Sequence, residues 1–278
     1  MPHRTIFITG ASSGFGRALA LELAKKGAHV AIAARREDLL DELAHEIRAH
    51  GSGAATVVPV DVSDPLAANE AVHKVERDLG ALDMVIANAG VTSRQTAPTL
   101  SWNEVSHVMD VNLRGALATV MAAIPIFVAR ERGHIVGVTS LAGFFGMPKH
   151  AAYSASKIAL STFLNSIRID LAPLGIHVTD VQPGFVDTPM SRSIPSPMPF
   201  SWTAEKAARV VAHRLEKAPR TIAFPWPLAF ATHLGRFLPQ AILDPVLRTL
   251  LSDDRREKAG AIPHLHEKES GTILSSGR

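Results

Sequence analysis

With 278 residues, 46% hydrophobic and 20% charged, the chain can bury one substantial core, and α/β folds of this size commonly form a single domain. The absence of cysteine excludes disulfides, thiolate zinc sites and a cysteine nucleophile, so redox chemistry must use a bound cofactor. The formal net charge is +3, and the 29 basic residues are scattered among 26 acidic ones without forming a nucleic-acid-binding stripe.

The amino terminus, MPHRTIFITGASSG, is a short apolar run leading straight into a glycine-rich turn. It lacks the long h-region and small-residue cleavage site of a signal peptide, and a cytoplasmic location is expected. Short β-rich runs then alternate with longer segments of helical spacing, the pattern of a parallel sheet covered on both faces. The predicted strands are 5–9, 29–33, 55–60, 84–88, 134–140, 177–182 and 221–224. Helical patterns lie between them: Phe15, Leu19 and Leu23 share one face, and residues 36–50 and 67–79 follow. Asp64-Pro65 suits an N-cap and first helical position, and Ser101 with Glu104 has the form of a capping box opening the next helix. Gly27, Gly51, Gly80, Gly133 and Gly175 fall where helices are expected to end.

After Thr188 the rhythm breaks into a proline- and serine-rich segment, 188–202, read as a variable substrate loop because too little chain follows to build a second core. Helix resumes near Thr203. The segment 222–234 is interrupted by Pro225, Pro227 and His233 and falls short of the ~20 apolar residues of a spanning helix, so no transmembrane segment is expected. Residues 224–252 form an apolar helical extension carrying Trp226, Phe230, Leu234, Phe237, Leu238, Ile242, Val246 and Leu250. Three roles stand open for it: closing a substrate site, packing in an oligomer, or lying on a membrane surface. The catalytic domain is expected over 1–252, and 253–278 is polar, without periodicity, and expected to be a mobile tail. His264 and His266 on that tail read as solvated residues, and no metal is expected.

The first strand runs into Gly10-Ala11-Ser12-Ser13-Gly14-Phe15-Gly16 and then a helix. Glycines there let a phosphate approach backbone N–H groups at a helix N-terminus. The spacing is TGxxxGxG. Further along stand Asn88-Ala89-Gly90 after the fourth strand, Tyr153 and Lys157 in YxxxK, and Pro183-Gly184 after the sixth. A tyrosine with an ordinary pKa near ~10 is a poor base at neutral pH and needs a neighbouring cation and solvent exclusion. Lys157, four residues on, shares a helix face with Tyr153, the only tyrosine in the chain.

Taken together, these motifs, in this order over about residues 4 to 190, resemble the short-chain dehydrogenase/reductase family. The resemblance implies a Rossmann-like, doubly wound α/β fold with a seven-stranded parallel sheet in one domain. It implies catalytic roles for Asn112, Ser140, Tyr153 and Lys157. Ser140 and Tyr153 would polarise a carbonyl, hydride would come from the nicotinamide, and Tyr153 would donate the proton. Lys157 would hold the ribose, lower the Tyr153 pKa and renew the proton through a water at Asn112. Asp61-Val62 matches the adenine-contacting pair, with a turn role for Asp61 also open. Pro183, Gly184, Val186 and Thr188 match the segment beside the nicotinamide. A homodimer or homotetramer through the helices at 101–130 and 151–171 is also implied.

At the end of the second strand stand Arg35 and Arg36 in place of the acid that selects NAD. Guanidinium groups there favour a 2′-phosphate, so NADP(H) is the expected cofactor, although Ser13 occupies a place where NADP-preferring relatives often carry a second base. Phe144, Phe145, Met147 and Met190 form a candidate apolar substrate wall, with core or subunit packing an equal alternative for the two phenylalanines. The expected activity is reversible reduction of a hydrophobic carbonyl compound to an alcohol. The alternatives are a non-catalytic NADP(H) sensor or a membrane-surface protein on the same fold.

Overall fold

The structure, a computed structural model, describes residues 4–192, 198 and 200–249. Residues 193–197 and 199 of the proline-rich segment, Leu250, and the 253–278 tail with its two histidines lie outside the described residues.

The strands, in chain order, are β1 (Thr5–Thr9), β2 (His29–Ala34), β3 (Ala54–Pro59), β4 (Leu82–Ala87), β5 (Gly133–Val138), β6 (Ile176–Pro183), β7 (Val186–Asp187), β8 (Trp202–Thr203) and β9 (Thr221–Phe224). Seven of them form one parallel sheet in the order β3-β2-β1-β4-β5-β6-β9. The helices are α1 (Gly14–Lys25), α2 (Glu37–His50), α3 (Pro65–Leu79), α4 (Trp102–Met109), α5 (Ala116–Arg130), α6 (Ala151–Leu171), α7 (Pro189–Arg192), α8 (Ala204–Leu215), α9 (Trp226–Gly235) and α10 (Gln240–Thr249). This is the doubly wound, Rossmann-like architecture.

Successive strand side chains point to opposite faces, and each face is covered by helices. Ile6, Ile8, Val30, Ile32 and Val136 pack with Leu19 and Leu23 of α1, Leu40 and Leu43 of α2 and Val211 of α8. Phe7, Ala31, Val85, Ile135 and Val178 face the other way, against Val72 of α3, Val120 and Phe127 of α5 and Leu160 of α6. By contact the chain divides into one unit, Met1–Leu238, and another, Pro239–Arg278. The apolar stretch expected over 224–252 is therefore shared: α9 belongs to the first unit and α10 to the second.

Local chemistry sets the element ends. Asp64 caps α3 by accepting from the N–H groups of Leu66 (2.9 Å) and Ala67 (3.3 Å), with Pro65 at the first position. Ser101 caps α4 through the Glu104 N–H at 3.3 Å, but its own N–H donates to Gln95 Oε1 at 3.2 Å, so only half of the capping box forms. Gly51 and Gly80 take the left-handed C-cap. Gly133 does not cap: Glu131 adopts that conformation after α5, and Gly133 opens β5 where a Cβ would lie 2.1 Å from Phe127 Cγ.

Between α4 and α5 the helix passes through a π-helical turn, Asp110–Gly115, where the Val62 carbonyl approaches so closely that a Cβ on Gly115 would sit 2.2 Å from it. The whole helical stretch Trp102–Arg130 is apolar and long enough to cross a membrane by length and composition, with 50% of its apolar window buried within the protein. Two short strands were not legible in the sequence pattern: β7 and β8 pair in parallel across the proline-rich segment, Val186 with Trp202 and Asp187 with Thr203. Two residues carry no periodicity to read.

Replacing Gly133 with alanine is expected to lower unfolding stability by about 1–3 kcal/mol, as overpacking against Phe127 does. Gly146→Ala, with no atom within 4 Å of its would-be Cβ, is the control expected to stay near wild type. Urea denaturation compares the two.

Candidate active site

The crevice of a doubly wound sheet opens where the chain order reverses, here between β1 and β4. Two turns meet at that point. Thr9 Oγ1 accepts from the N–H groups of Asn88 (3.0 Å) and Ala89 (3.1 Å), and Asn88 Nδ2 donates to the Thr9 carbonyl at 2.8 Å. The fit leaves no room for side chains: a Cβ on Gly10 would lie 2.7 Å from Ala89 Cα, and one on Gly16 2.3 Å from Asn88 Nδ2. A third segment joins them, since a Cβ on Gly14 would lie 3.2 Å from the Thr188 side chain. The predicted Gly10–Gly16, Asn88–Gly90 and Pro183–Thr188 motifs thus converge.

At the rim, Arg36 Nη2 donates to both Ser12 Oγ and Ser13 Oγ at 2.9 Å. Arg35 Nη1 stands 3.7 Å from Asp61 Oδ2, both side chains largely exposed. Asp61 accepts from the Ser63 N–H (2.9 Å) and hydroxyl (2.8 Å), so it serves as a turn residue while facing Arg35. Burial pushes its carboxyl up, but the Ser63 bonds and the Arg35 charge outweigh that and leave it below the ordinary value. Val62 is buried against the π-helical turn. Phe15 points inward from α1 and meets Phe224, whose ring stacks on Trp202 at 5.1 Å.

The polar group expected to carry chemistry lies past the ends of β4, β5 and β6. Ser140 leaves β5 and accepts from the Ala142 N–H at 3.1 Å, which turns the chain into a short 3-10 helix. Its hydroxyl donates to the Pro183 carbonyl at 3.4 Å and lies close enough to Tyr153 on α6 to favour the tyrosine's charged form. Lys157, one turn further, is buried and donates to the Val138 carbonyl at 2.8 Å, with its nitrogen 5.8 Å from the Tyr153 ring centre. Asn112 projects from the π-helical turn: Oδ1 accepts from the Val91 N–H at 2.7 Å, and Nδ2 donates to the Val91 carbonyl at 2.9 Å and Ser156 Oγ at 3.2 Å. Gly90 lies between these last two, its would-be Cβ 3.4 Å from Lys157 Nζ and 3.5 Å from Asn112 Oδ1.

Burial dominates the electrostatics. It pushes Tyr153 above its ordinary value, and the nearby Ser140 hydroxyl opposes this. Burial also lowers Lys157 to about 8, against the opposing charge of Asp180. In place of the expected lowering, burial outweighs the Ser140 hydroxyl, so Tyr153 stands above its ordinary value, while the lysine amine donates to the Val138 carbonyl.

On the substrate side, Phe144 packs against the His233 ring at 5.0 Å and under the Arg236 guanidinium at 5.0 Å. Phe145 sits so close to Gly235 that a Cβ there would lie 2.7 Å away. Both phenylalanines therefore contact α9 and its end, and α9 also reaches Gly184 through Leu228. Met147 is partly buried, and Met190 is exposed beside the proline-rich segment. Sequence reasoning missed His150, whose ring centre is 6.5 Å from that of Tyr153 and whose Nδ1 is 3.3 Å from Thr92 Oγ1. Its place one helical turn before Tyr153 was the available signal. Burial, then the Arg94 charge, lowers its pKa. Among the described residues no group of three acidic, cysteine or histidine side chains could hold a metal.

The sequence profile of the family described as short chain dehydrogenase matches residues 4–199. An uncharacterized oxidoreductase of Myxococcus xanthus is 43% identical over 252 residues, covering 90% of this chain and 98% of that protein. A short-chain type dehydrogenase/reductase from Mycobacterium marinum superposes with a TM-score of 0.74 at 26% identity, over 86% of this chain and 97% of that one. An alcohol dehydrogenase from the archaeon Thermococcus sibiricus, complexed with 5-hydroxy-NADP, does so with a TM-score of 0.72 at 28% identity, over 80% and 94%. The chain belongs to the short-chain dehydrogenase/reductase family, and its class is oxidoreductase.

The burial of Lys157 sets a measurable expectation. In protein labelled with [ε-¹³C]lysine, the Lys157 signal should titrate near pH 8, well below the ~10.4 of an ordinary lysine. A signal titrating with the surface lysines would contradict it.

Proposed function

We propose that this protein is an NADP(H)-dependent oxidoreductase that interconverts a hydrophobic carbonyl compound and its alcohol. The observation that carries the reading is the gathering of the Ser140 hydroxyl and Tyr153 beside the buried amine of Lys157. Two hydroxyls directed at one point can polarise a carbonyl oxygen, and one of them can give it a proton.

The residues present fit a dinucleotide. The glycine-rich turn ends at the N-terminus of α1, where Ser13 makes no side-chain cap, so the N–H groups there are left for a pyrophosphate, and Gly90 leaves space beside Lys157. The nicotinamide, when bound, supplies or accepts the hydride. Ser140 Oγ orients the substrate oxygen and Tyr153 Oη transfers the proton. Lys157 Nζ keeps a positive charge close to Tyr153, and Asn112 fixes the Val91 backbone that borders the amine.

Arg36, held on the Ser12 and Ser13 hydroxyls at 2.9 Å, and the absence of an acid at the end of β2 favour a 2′-phosphate. The neighbour solved with an NADP derivative is consistent with that preference. Phe144, Phe145 and Leu228 favour an apolar substrate. The exposed Trp102, Met121 and Ile169 on α4, α5 and α6 favour a homo-oligomer through those helices.

Tyr153→Phe should reduce turnover on a ketone, aldehyde and alcohol panel by about 10²–10⁴-fold, the scale of a lost general acid. NADPH binding, followed by fluorescence, should remain within a few-fold of wild type; retained turnover would defeat the mechanism, and a sensor would show none in the wild type. Arg36→Ala should lower kcat/KM for NADPH by about 10–100-fold, as charge-assisted hydrogen bonds are lost, and leave that for NADH nearly unchanged. Equal losses with both cofactors would count against a 2′-phosphate contact.

A further inference from the structure

Asp180 on β6 is the one acidic side chain among the buried described residues. A carboxylate in that position is costly unless donors surround it. Here three do: Thr139 Oγ1 donates to Oδ1 at 2.6 Å, and Ser161 Oγ at 2.6 Å and Gln182 Nε2 at 2.7 Å donate to Oδ2. Gln182 gives this bond while its own Oε1 stays buried with no hydrogen-bond partner. The local arrangement therefore serves the carboxylate rather than the amide.

The donors belong to the elements that carry the reacting group. Thr139 directly precedes Ser140 and follows Val138, the residue whose carbonyl receives the Lys157 amine. Ser161 is one turn of α6 beyond Lys157, on the same helix face. Asp180 sits on the sheet face that α6 covers, two residues from Val178 in the α6-facing core, and its backbone N–H is held by the Arg220 carbonyl at 3.0 Å. One carboxylate thus ties the end of β5, the body of α6 and β6 together under Ser140, Tyr153 and Lys157.

We propose that Asp180 is a positioning residue of this site, a buried counter-charge that clamps α6 to the end of β5 and keeps the Lys157 amine protonated beside Tyr153. The proposal rests on the oxidoreductase reading for its kinetic consequence, but its electrostatic part does not. The titratable groups facing Lys157 are Tyr153 from its own helix and Asp180 from β6. Asn112 and Gly90 border it from the π-helical turn and the loop after β4, and neither ionises. Ser161, Thr139 and Gln182 face Asp180 without charge. Removing the negative charge leaves burial unopposed, so Lys157 should lose its proton at lower pH and support Tyr153 less.

The test compares Asp180→Asn with Ser161→Ala, which loosens the clamp but keeps the charge. With [ε-¹³C]lysine NMR, Asp180→Asn should move the Lys157 midpoint down by about one pH unit or more, a tenfold change in proton affinity. Ser161→Ala should leave the midpoint in place while lowering Tm. In parallel, the high-pH limb of carbonyl reduction should shift to lower pH in Asp180→Asn only. An unmoved midpoint in Asp180→Asn, or an equal movement in Ser161→Ala, overturns the proposal. Asp180→Ser is the second neutral variant should the asparagine form not fold, with the same expectations. A wild type without turnover on any carbonyl or alcohol would defeat the oxidoreductase reading, while the NMR midpoint would still decide the role of Asp180.

Discussion

A lysine amine buried inside a small α/β protein has to be held by neighbours, and the arrangement around Lys157 follows from that need. Its nitrogen donates to the Val138 carbonyl at the end of β5. A backbone carbonyl is free to accept there because Thr139 turns its own N–H to Val181 on β6 and the chain then bends away at Ser140. The same bend directs the Ser140 hydroxyl toward Tyr153. This group of buried polar side chains is therefore a consequence of where β5 stops, and where β5 stops is set by its pairing with β6.

The two sides of the crevice are built by different means. On the side of the glycine-rich turn, backbone approaches backbone: Gly10 against Ala89, Gly16 against the Gly10 carbonyl, and Gly115 against Val62. A single added methyl group would meet main-chain or tightly held atoms at each place, so this side tolerates little change. On the substrate side, side chains from the 141–150 segment and α9 meet face to face, with Phe144 between His233 and Arg236. Such contacts can be repacked with other residues, which suits a surface that distinguishes substrates. The outer face of α9 carries Trp226, Phe230 and Leu234, all exposed, while Ala229, Thr232 and Gly235 turn inward.

Much of the sheet could be read in advance because its signal is local. Continuous apolar runs such as Ile6 to Ile8 and Val30 to Ala33 are buried on both faces, and strands of this kind stand out between polar helices. Caps were readable where one residue suffices, as at Asp64. They were misread where the partner lay elsewhere: the Ser101 N–H goes to Gln95, and Gly133 answers to the Phe127 ring instead of to its own helix end. The predicted fifth strand ran through Ser140, but β5 ends at Val138: Thr139 Oγ1 donates to Asp180 on β6, and Ser140 Oγ accepts from the Ala142 N–H that opens the turn.

The sequence by itself determined the order of strands and helices, the glycine-rich turn, and the residue types available for proton transfer. Those depend on spacing along the chain, which a linear string records. Only the tertiary structure decided that Lys157 donates to the Val138 carbonyl, that Arg36 rests on two serine hydroxyls, and that α9 closes on Phe144 and Phe145. It also set Asp180 between the hydroxyls of Thr139 and Ser161. Nothing in the string marks a lone aspartate in a strand as the acceptor for a serine 19 residues earlier. That pairing arises because α6 crosses the face of β6, and burial there makes a single charge matter to its neighbours.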